Sequence, residues 1–284
     1  MIKHLLKAAA ESLGYSIRRT APPPEPASLP SPALQPVSVD LFPGWPVELA
    51  LGDAIQRHAL AAGSEYEAPT PQLLRTFCGP PGTVFFDIGA NFGFYSYYLL
   101  ANCPQLTAYS FEPNPRHLEG HCSVAERLAA GRYFPVHAGL GDKEGELSLT
   151  VSSLDSGWST LGRNPSFEEI SATLTTHRVP VMRFDDWRAA RGLALPDRPS
   201  WVAKIDVEGF EPKVLEGMSA ALEAHAFKAL VVEVLDHTLH FCGTSADEVF
   251  TRMDRAGYAP FDLWLQPTRC QPQEARNVLF LPRA

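Results

Sequence analysis

Cysteine is scarce and scattered in this sequence: Cys78, Cys103, Cys122, Cys242 and Cys270 are spread over 284 residues, and no Cys-x-x-Cys pair occurs. That excludes a disulfide framework and a thiolate zinc site, and it fits a reducing compartment, so a cytoplasmic protein is expected. A basic surplus is missing too. With 24 Lys plus Arg against 32 Asp plus Glu, a formal net charge of -8, the chain lacks the concentrated positive surface that phosphate contact needs, and no nucleic-acid partner is expected. Long apolar runs are absent as well. Lys7 interrupts the early one, with no small-residue cleavage pattern after it, and the uncharged stretch between Asp87 and Glu112 is broken by Gly89, Asn91, Gly93, Asn102, Pro104 and Gln105. Neither a secretory signal nor a membrane span is predicted.

What is present divides into three parts. Over residues 1–20, Ile2, Leu5, Leu6, Ala9, Leu13 and Ile17 recur at helical spacing, with Lys3, Lys7 and Arg18 elsewhere on the wheel. This basic amphipathic helix fits peripheral contact with an anionic membrane surface, on the inner face, and equally a helix docked on a partner or left in solvent. Residues 21–46 hold nine of the 26 prolines and read as an extended linker. The folded domain is therefore expected over residues 47–284.

In that domain, helices are predicted over 49–62 and 70–77, after which short apolar runs alternate with helical segments. Strands are expected at 83–89, 106–112, 133–140, 201–208 and 228–235, and helices at 94–101, 115–130, 211–225 and 245–256. Continuous apolar strands alternating with helices predict an α/β fold with a mostly parallel sheet covered on both faces. The interval from 142 to 186 breaks the rhythm with two hairpin-like strands, a small β insertion, and strands at 258–264 and 277–281 close the chain.

The first strand runs into Asp87-Ile-Gly-Ala-Asn-Phe-Gly93, a strand, a glycine turn and a helix start. Glycine permits close backbone approach to a ligand, and a helix N-terminus offers free amide donors, so a nucleotide-like ligand is implied. The spacing is not the Gly-x-Gly-x-x-Gly that cradles a pyrophosphate, which a nicotinamide-dependent oxidoreductase would need. An acidic residue at the head of the loop suits a cationic ligand such as S-adenosylmethionine. Nineteen residues after Gly93 the second strand ends at Glu112, where a carboxylate can accept both hydroxyls of a ribose. Asp142, after the third strand, falls where an adenine amino group is met. Asp87, Gly89, Asn91, Gly93, Glu112 and Asp142 are thus the expected cofactor-binding residues.

Further along, Lys204-Ile-Asp-Val-Glu-Gly209 closes another strand. Because strand residues two apart point the same way, Lys204, Asp206 and Glu208 share one face about 6.6 Å apart, at the carboxyl ends of the strands where open parallel sheets bind ligands. Asp206 is the expected general base, Glu208 a second carboxylate, and Lys204 the cation that keeps both ionised. Asp206, Glu233 and Asp236 offer an alternative, an oxygen-rich site for a divalent metal such as magnesium that binds two acceptor hydroxyls; His237 and His240 are alternative bases. Trp158, in the polar loop of the insertion, is placed to stack on an acceptor or simply to be half-buried.

Several of these segments, in order, resemble the FkbM family of S-adenosylmethionine-dependent methyltransferases: Asp-Ile-Gly-Ala-Asn-Phe-Gly-Phe-Tyr-Ser at 87–96, Phe-Glu-Pro-Asn-Pro at 111–115, Gly-Asp-Lys-Glu-Gly at 141–145, Phe-Asp-Asp-Trp at 184–187 and Lys-Ile-Asp-Val-Glu-Gly-Phe-Glu at 204–211. The resemblance covers about residues 82–258. It implies a Rossmann-like, seven-stranded methyltransferase fold and O-methylation, transfer of a methyl group to a hydroxyl of a sugar, glycolipid or secondary metabolite. The competing reading is a non-catalytic scaffold that binds the same nucleotide; it predicts damage at Lys204 to Glu208, which is intact.

Overall fold

The most apolar runs of the sequence become the central strands of a computed structural model, which describes residues 36–152, 156, 159, 161, 174–268 and 277–283. The basic helix expected over 1–20, most of the proline-rich linker and Trp158 lie outside the described residues. Strands β3 (Val84–Ile88), β4 (Thr107–Phe111), β5 (Tyr133–Val136), β9 (Trp201–Ile205), β10 (Phe227–Glu233), β11 (Tyr258–Phe261) and β12 (Asn277–Pro282) form one seven-stranded sheet in the order β11-β12-β10-β9-β3-β4-β5. All neighbours from β10 to β5 are parallel, and β12 runs antiparallel between β10 and β11. The order reverses beside β3, which opens a crevice at the carboxyl ends of β3 and β9.

Side chains alternate across each strand, so neighbours in sequence feed different cores. Phe85, Val202, Ala229 and Val231 enter one, with α2 (Thr70–Cys78) and α3 (Phe94–Asn102); Phe86, Ala203, Ile205, Leu230 and Val232 enter the other, with α5 (Phe184–Ala190), α6 (Glu211–Gly217), α7 (Ser219–Glu223) and α9 (Ala246–Arg255). Between β4 and β5 lies α4 (Pro115–Arg127); α1 (Ala54–Ala62) precedes α2, and α8 (Asp236–Phe241) follows β10. The insertion is a three-stranded sheet of β6 (Gly139–Leu140), β7 (Gly145–Ser152) and β8 (Leu174–Met182). No helix among the described residues is long and apolar enough to cross a membrane.

Three expectations change. Residues 37–46 are not linker: β1 (Val37–Phe42) pairs antiparallel with β2 (Trp45–Leu49), so the folded part already includes residues before Val47. The turn is made by Asp40, whose carboxylate accepts the N–H groups of Gly44 and Trp45, and Phe42 sits 5.5 Å from the rings of Phe94 and Tyr98. This hairpin explains why α3 is apolar nearly all round, since its outward face is covered too. The segment 133–140 splits between the main sheet and the insertion. Finally, the helix expected over 211–225 breaks after Gly217, where a Cβ would come within 2.0 Å of the Gly141 carbonyl, so the two backbones approach more closely than any other residue permits.

Candidate active site

The loop that leaves β3 is held by bonds to three side chains that converge on Asn91. Asn91 has φ +52, an uncommon conformation outside glycine. Its N–H donates to Glu112 Oε2 at 2.8 Å, its carbonyl faces His121 Nε2 at 2.7 Å, and its side-chain Oδ1 accepts from Ser156 Oγ at 2.9 Å. Glu112 also accepts the Asn114 N–H on its other oxygen, at 2.7 Å. Burial pushes the Glu112 carboxyl up to about 7, against the pull of those two amides.

Asp87 is buried and serves the helix after the loop: it accepts both the N–H and the hydroxyl of Ser96, at 3.1 and 2.7 Å. Gly93 caps α3 without a side chain to offer, so the carboxylate from the adjoining strand supplies the missing acceptor. Burial raises Asp87 to about 6, less than it would without Ser96 and the charge of Lys204.

Two glycines do work that the sequence reading did not assign. At Gly89 (φ +81) a Cβ would lie 1.8 Å from the Asp206 carbonyl, so this glycine accommodates the neighbouring strand end as well as lining the cavity. At Gly93 (φ +97) a Cβ would strike the Tyr97 ring.

Across the crevice, Lys204 lies in register between Asp87 and Val231 and is only 1% exposed. Its Nζ donates to Asp206 Oδ2 at 2.8 Å and sits 5.5 Å from the centre of the Tyr95 ring, whose hydroxyl donates to Glu67. Burial alone would lower the ammonium, but the charges of Asp206, Glu233 and Glu67 outweigh it and hold Lys204 above its usual value. Glu233 is pushed well above the carboxylate range by burial and by its acidic neighbours.

The strand ends at Ile205, and Glu208 has φ +54, so Lys204, Asp206 and Glu208 do not share one extended face. The turn is set by Glu211, whose Oε1 accepts the N–H groups of Val207 and Gly209. The carboxylates nevertheless meet: oxygens of Asp206, Glu208 and Glu233 lie within 4.8 Å of one another. Asp236, His237 and His240 are exposed on α8 and are not among the residues lining the cavity.

These groups line one cavity of about 510 Å³, which includes Asp87, Gly89, Asn91, Glu112, Lys204, Asp206 and Glu208. Asp142 is not at it. Its carboxylate pairs with Lys213 Nζ at 3.1 Å and lines a separate hollow of about 280 Å³; Gly139 and Leu140 face the main cavity instead. Glu67, Tyr95 and His121 were missed, because each acts through a contact between segments distant in sequence.

The residues fit an adenosyl ligand: the cavity runs from a glycine loop and an edge of Leu140 to a carboxylate whose oxygens are already aimed by two backbone amides. With the strand order above, this is the arrangement that an α/β domain binding an adenosyl nucleotide requires. Residues 87–260 match the Methyltransferase FkbM domain, and the chain belongs to that family. It is 28% identical over 151 residues to the hexuronic acid methyltransferase AglP of Haloferax volcanii, covering 53% of this chain and 55% of AglP. It is also 28% identical over 180 residues to the 31-O-demethyl-FK506 methyltransferase FkbM of Streptomyces tacrolimicus, covering 55% of this chain and 66% of the relative. The chain thus spans less than two thirds of either relative's length. Among solved structures, magnesium protoporphyrin IX methyltransferase from Synechocystis PCC 6803 aligns over 81% of this chain and 84% of its own, with a TM-score of 0.42 and 13% identity.

Proposed function

We propose that this chain methylates a hydroxyl group, with Asp206 as the general base and a sugar, glycolipid or hydroxylated metabolite as acceptor. The observation that carries the reading is the Asp206 carboxylate, partly open to the cavity and anchored on one oxygen by a buried lysine. S-adenosylmethionine, when bound, supplies an electrophilic methyl group on a cationic sulfur. Glu112 holds the ribose hydroxyls, and the β3 loop fixes the adenosyl end through Asn91. Asp206 takes the proton of the acceptor hydroxyl as the oxygen becomes bonded to carbon. Lys204 anchors that carboxylate through its hydrogen bond, and its own charge is held by the surrounding acids. Positioning can supply on the order of 7 to 11 kcal/mol of barrier reduction. A base adds about 10² to 10⁴ in rate. The rigid hydrogen-bonded loop therefore matters at least as much as the base.

The three clustered carboxylates favour one second reading, a divalent cation held by Asp206, Glu208 and Glu233, which would bind the acceptor oxygen as a Lewis acid. Glu208 takes the place that the sequence reading gave to Asp236. Calorimetric titration with S-adenosylmethionine, S-adenosylhomocysteine and NAD tests the cofactor. Binding of the adenosyl compounds alone is expected, and failure of both in a folded sample would sink the reading. Loss of methyl transfer on chelation, restored by magnesium, would favour the metal.

A further inference from the structure

The loop between β11 and β12 brings to the cavity a side chain that neither the cofactor loop nor the acidic cluster explains. Asp262, Leu263 and Trp264 line the cavity, and Trp264 is 71% exposed, the largest exposure of any large apolar residue described. An indole left in water at a cavity mouth is a common mark of a binding surface. Its backbone is not loose. Asp262 Oδ1 accepts the N–H groups of Trp264 and Gln266 at 2.9 and 2.8 Å, the Asp262 N–H donates to the Gln266 carbonyl, and the Leu265 N–H donates to the Asp262 carbonyl. Phe261 and Pro267 pair across the base of this turn. Leu265 is held at φ +66, a conformation that leucine adopts only when the surrounding bonds impose it.

The charge of the cavity narrows what can lie on that ring. Lys204 is the one cation among its described lining residues, facing several carboxylates. An exposed aromatic face on a braced turn beside oxygen acceptors, where the one cation among the described lining residues is already paired with Asp206, suits a neutral polyol ring: its C–H face lies on the indole and its hydroxyls donate to the carboxylates. We infer that Trp264 is the stacking platform of the acceptor site and that the acceptor is an uncharged pyranoside. This rests on the hydroxyl-methylation reading above and makes it narrower. A uronate or a sugar phosphate would meet carboxylates where it needs cations.

The test uses the full chain saturated with S-adenosylhomocysteine. Binding of methyl glucoside, mannoside, galactoside and rhamnoside, with methyl glucuronide as the charged comparison, is read by saturation-transfer NMR. At least one neutral pyranoside should bind through its ring C–H protons, with the glucuronide weaker. Trp264→Ala should weaken that binding on the order of tenfold or more, while Trp264→Phe retains most of it. Neither variant should change the affinity for S-adenosylhomocysteine, which also shows that both are folded. If S-adenosylhomocysteine binds but no neutral pyranoside does, or if Trp264→Ala binds the sugar as well as the parent, the proposal is overturned and the methyltransferase assignment survives. If S-adenosylhomocysteine itself does not bind, both fall.

Discussion

The two ends of the cavity are both acidic and are held in opposite ways. At the loop end, Asp87 and Glu112 are anchored by backbone amides and a hydroxyl: the Ser96 N–H and Oγ on one, the Asn91 and Asn114 amides on the other. At the β9 end, Asp206 and Glu233 act on Lys204 by charge, and Glu208 completes the trio. Hydrogen bonds from a rigid backbone fix where an oxygen lies; a network of charges fixes which oxygens are ionised. Damage at the first end should therefore show in ligand affinity, and damage at the second in turnover.

The strongest challenge to that division is Asp206→Asn. It keeps the shape and the Lys204 contact while removing the proton acceptor, so kcat should fall by about 10² to 10⁴, or roughly 3 to 5.5 kcal/mol. Calorimetric affinity for S-adenosylhomocysteine should stay within about twofold of the parent, because no ligand hydroxyl is assigned to Asp206. A variant that loses affinity as much as turnover would show that the two ends are one unit.

The contrast also explains what could be read in advance. β3, β9 and β10 were legible because parallel strands buried on both faces leave a continuous apolar run, and the position of Glu112 and Asp206 at the cavity was legible because they stand where such strands end. The β1–β2 hairpin was hidden by composition: Pro36, Pro43 and Pro46 lie beside or within its strands, and their density read as linker. Glu208 was misread because its turn depends on the Glu211 side chain, which no periodicity reveals. Asp142 looked like a ligand because its partner, Lys213, lies 71 residues further on. His121 meets Asn91 across 30 residues, and a histidine within a helix carries no mark of such a contact. Position along a strand is written locally; which side chain meets which across the crevice is not.

The loop end can be sharpened through pH. Glu112 titrates at about 7, so its carboxyl passes from neutral acid to anion near neutrality. The anion accepts two ribose hydroxyls, whereas the neutral acid must present a proton of its own. Affinity for S-adenosylhomocysteine should therefore fall as pH drops through 7, and binding near pH 7 should release a proton, seen as a dependence of the calorimetric heat on buffer ionisation. Glu112→Gln should flatten that profile and weaken binding by about 1 to 3 kcal/mol. The sign for the free chain is opposite. Because the folded pKa lies above the usual 4.5, the folded state binds more protons than the unfolded one between those values, and this group's contribution to stability is lost as pH rises from 4.5 to 7.

The smallest effect expected is also the most specific to the loop. His121 is buried, and burial, with the nearby His137, lowers it to about 4, so it is neutral at physiological pH. With Nδ1 facing the Tyr133 hydroxyl and Nε2 facing the Asn91 carbonyl, the consistent arrangement has the proton on Nε2, donating to Asn91. His121→Phe keeps the ring volume and removes that donor. It should cost about 1 kcal/mol in cofactor affinity, roughly fivefold, while kcat at saturating cofactor stays at the parent value. His121→Gln, which retains a donor, should recover part of the loss. There is a separate signature in stability. The folded pKa lies below the usual 6.5, so the parent chain loses stability as pH falls from 6.5 towards 4, and His121→Phe should lack that component of the slope in thermal unfolding. A drop in kcat with affinity unchanged would place His121 in the chemistry and dissolve the division between the two ends. A drop in affinity alone would show that a side chain behind the loop, touching no ligand, sets the position of the atoms that do.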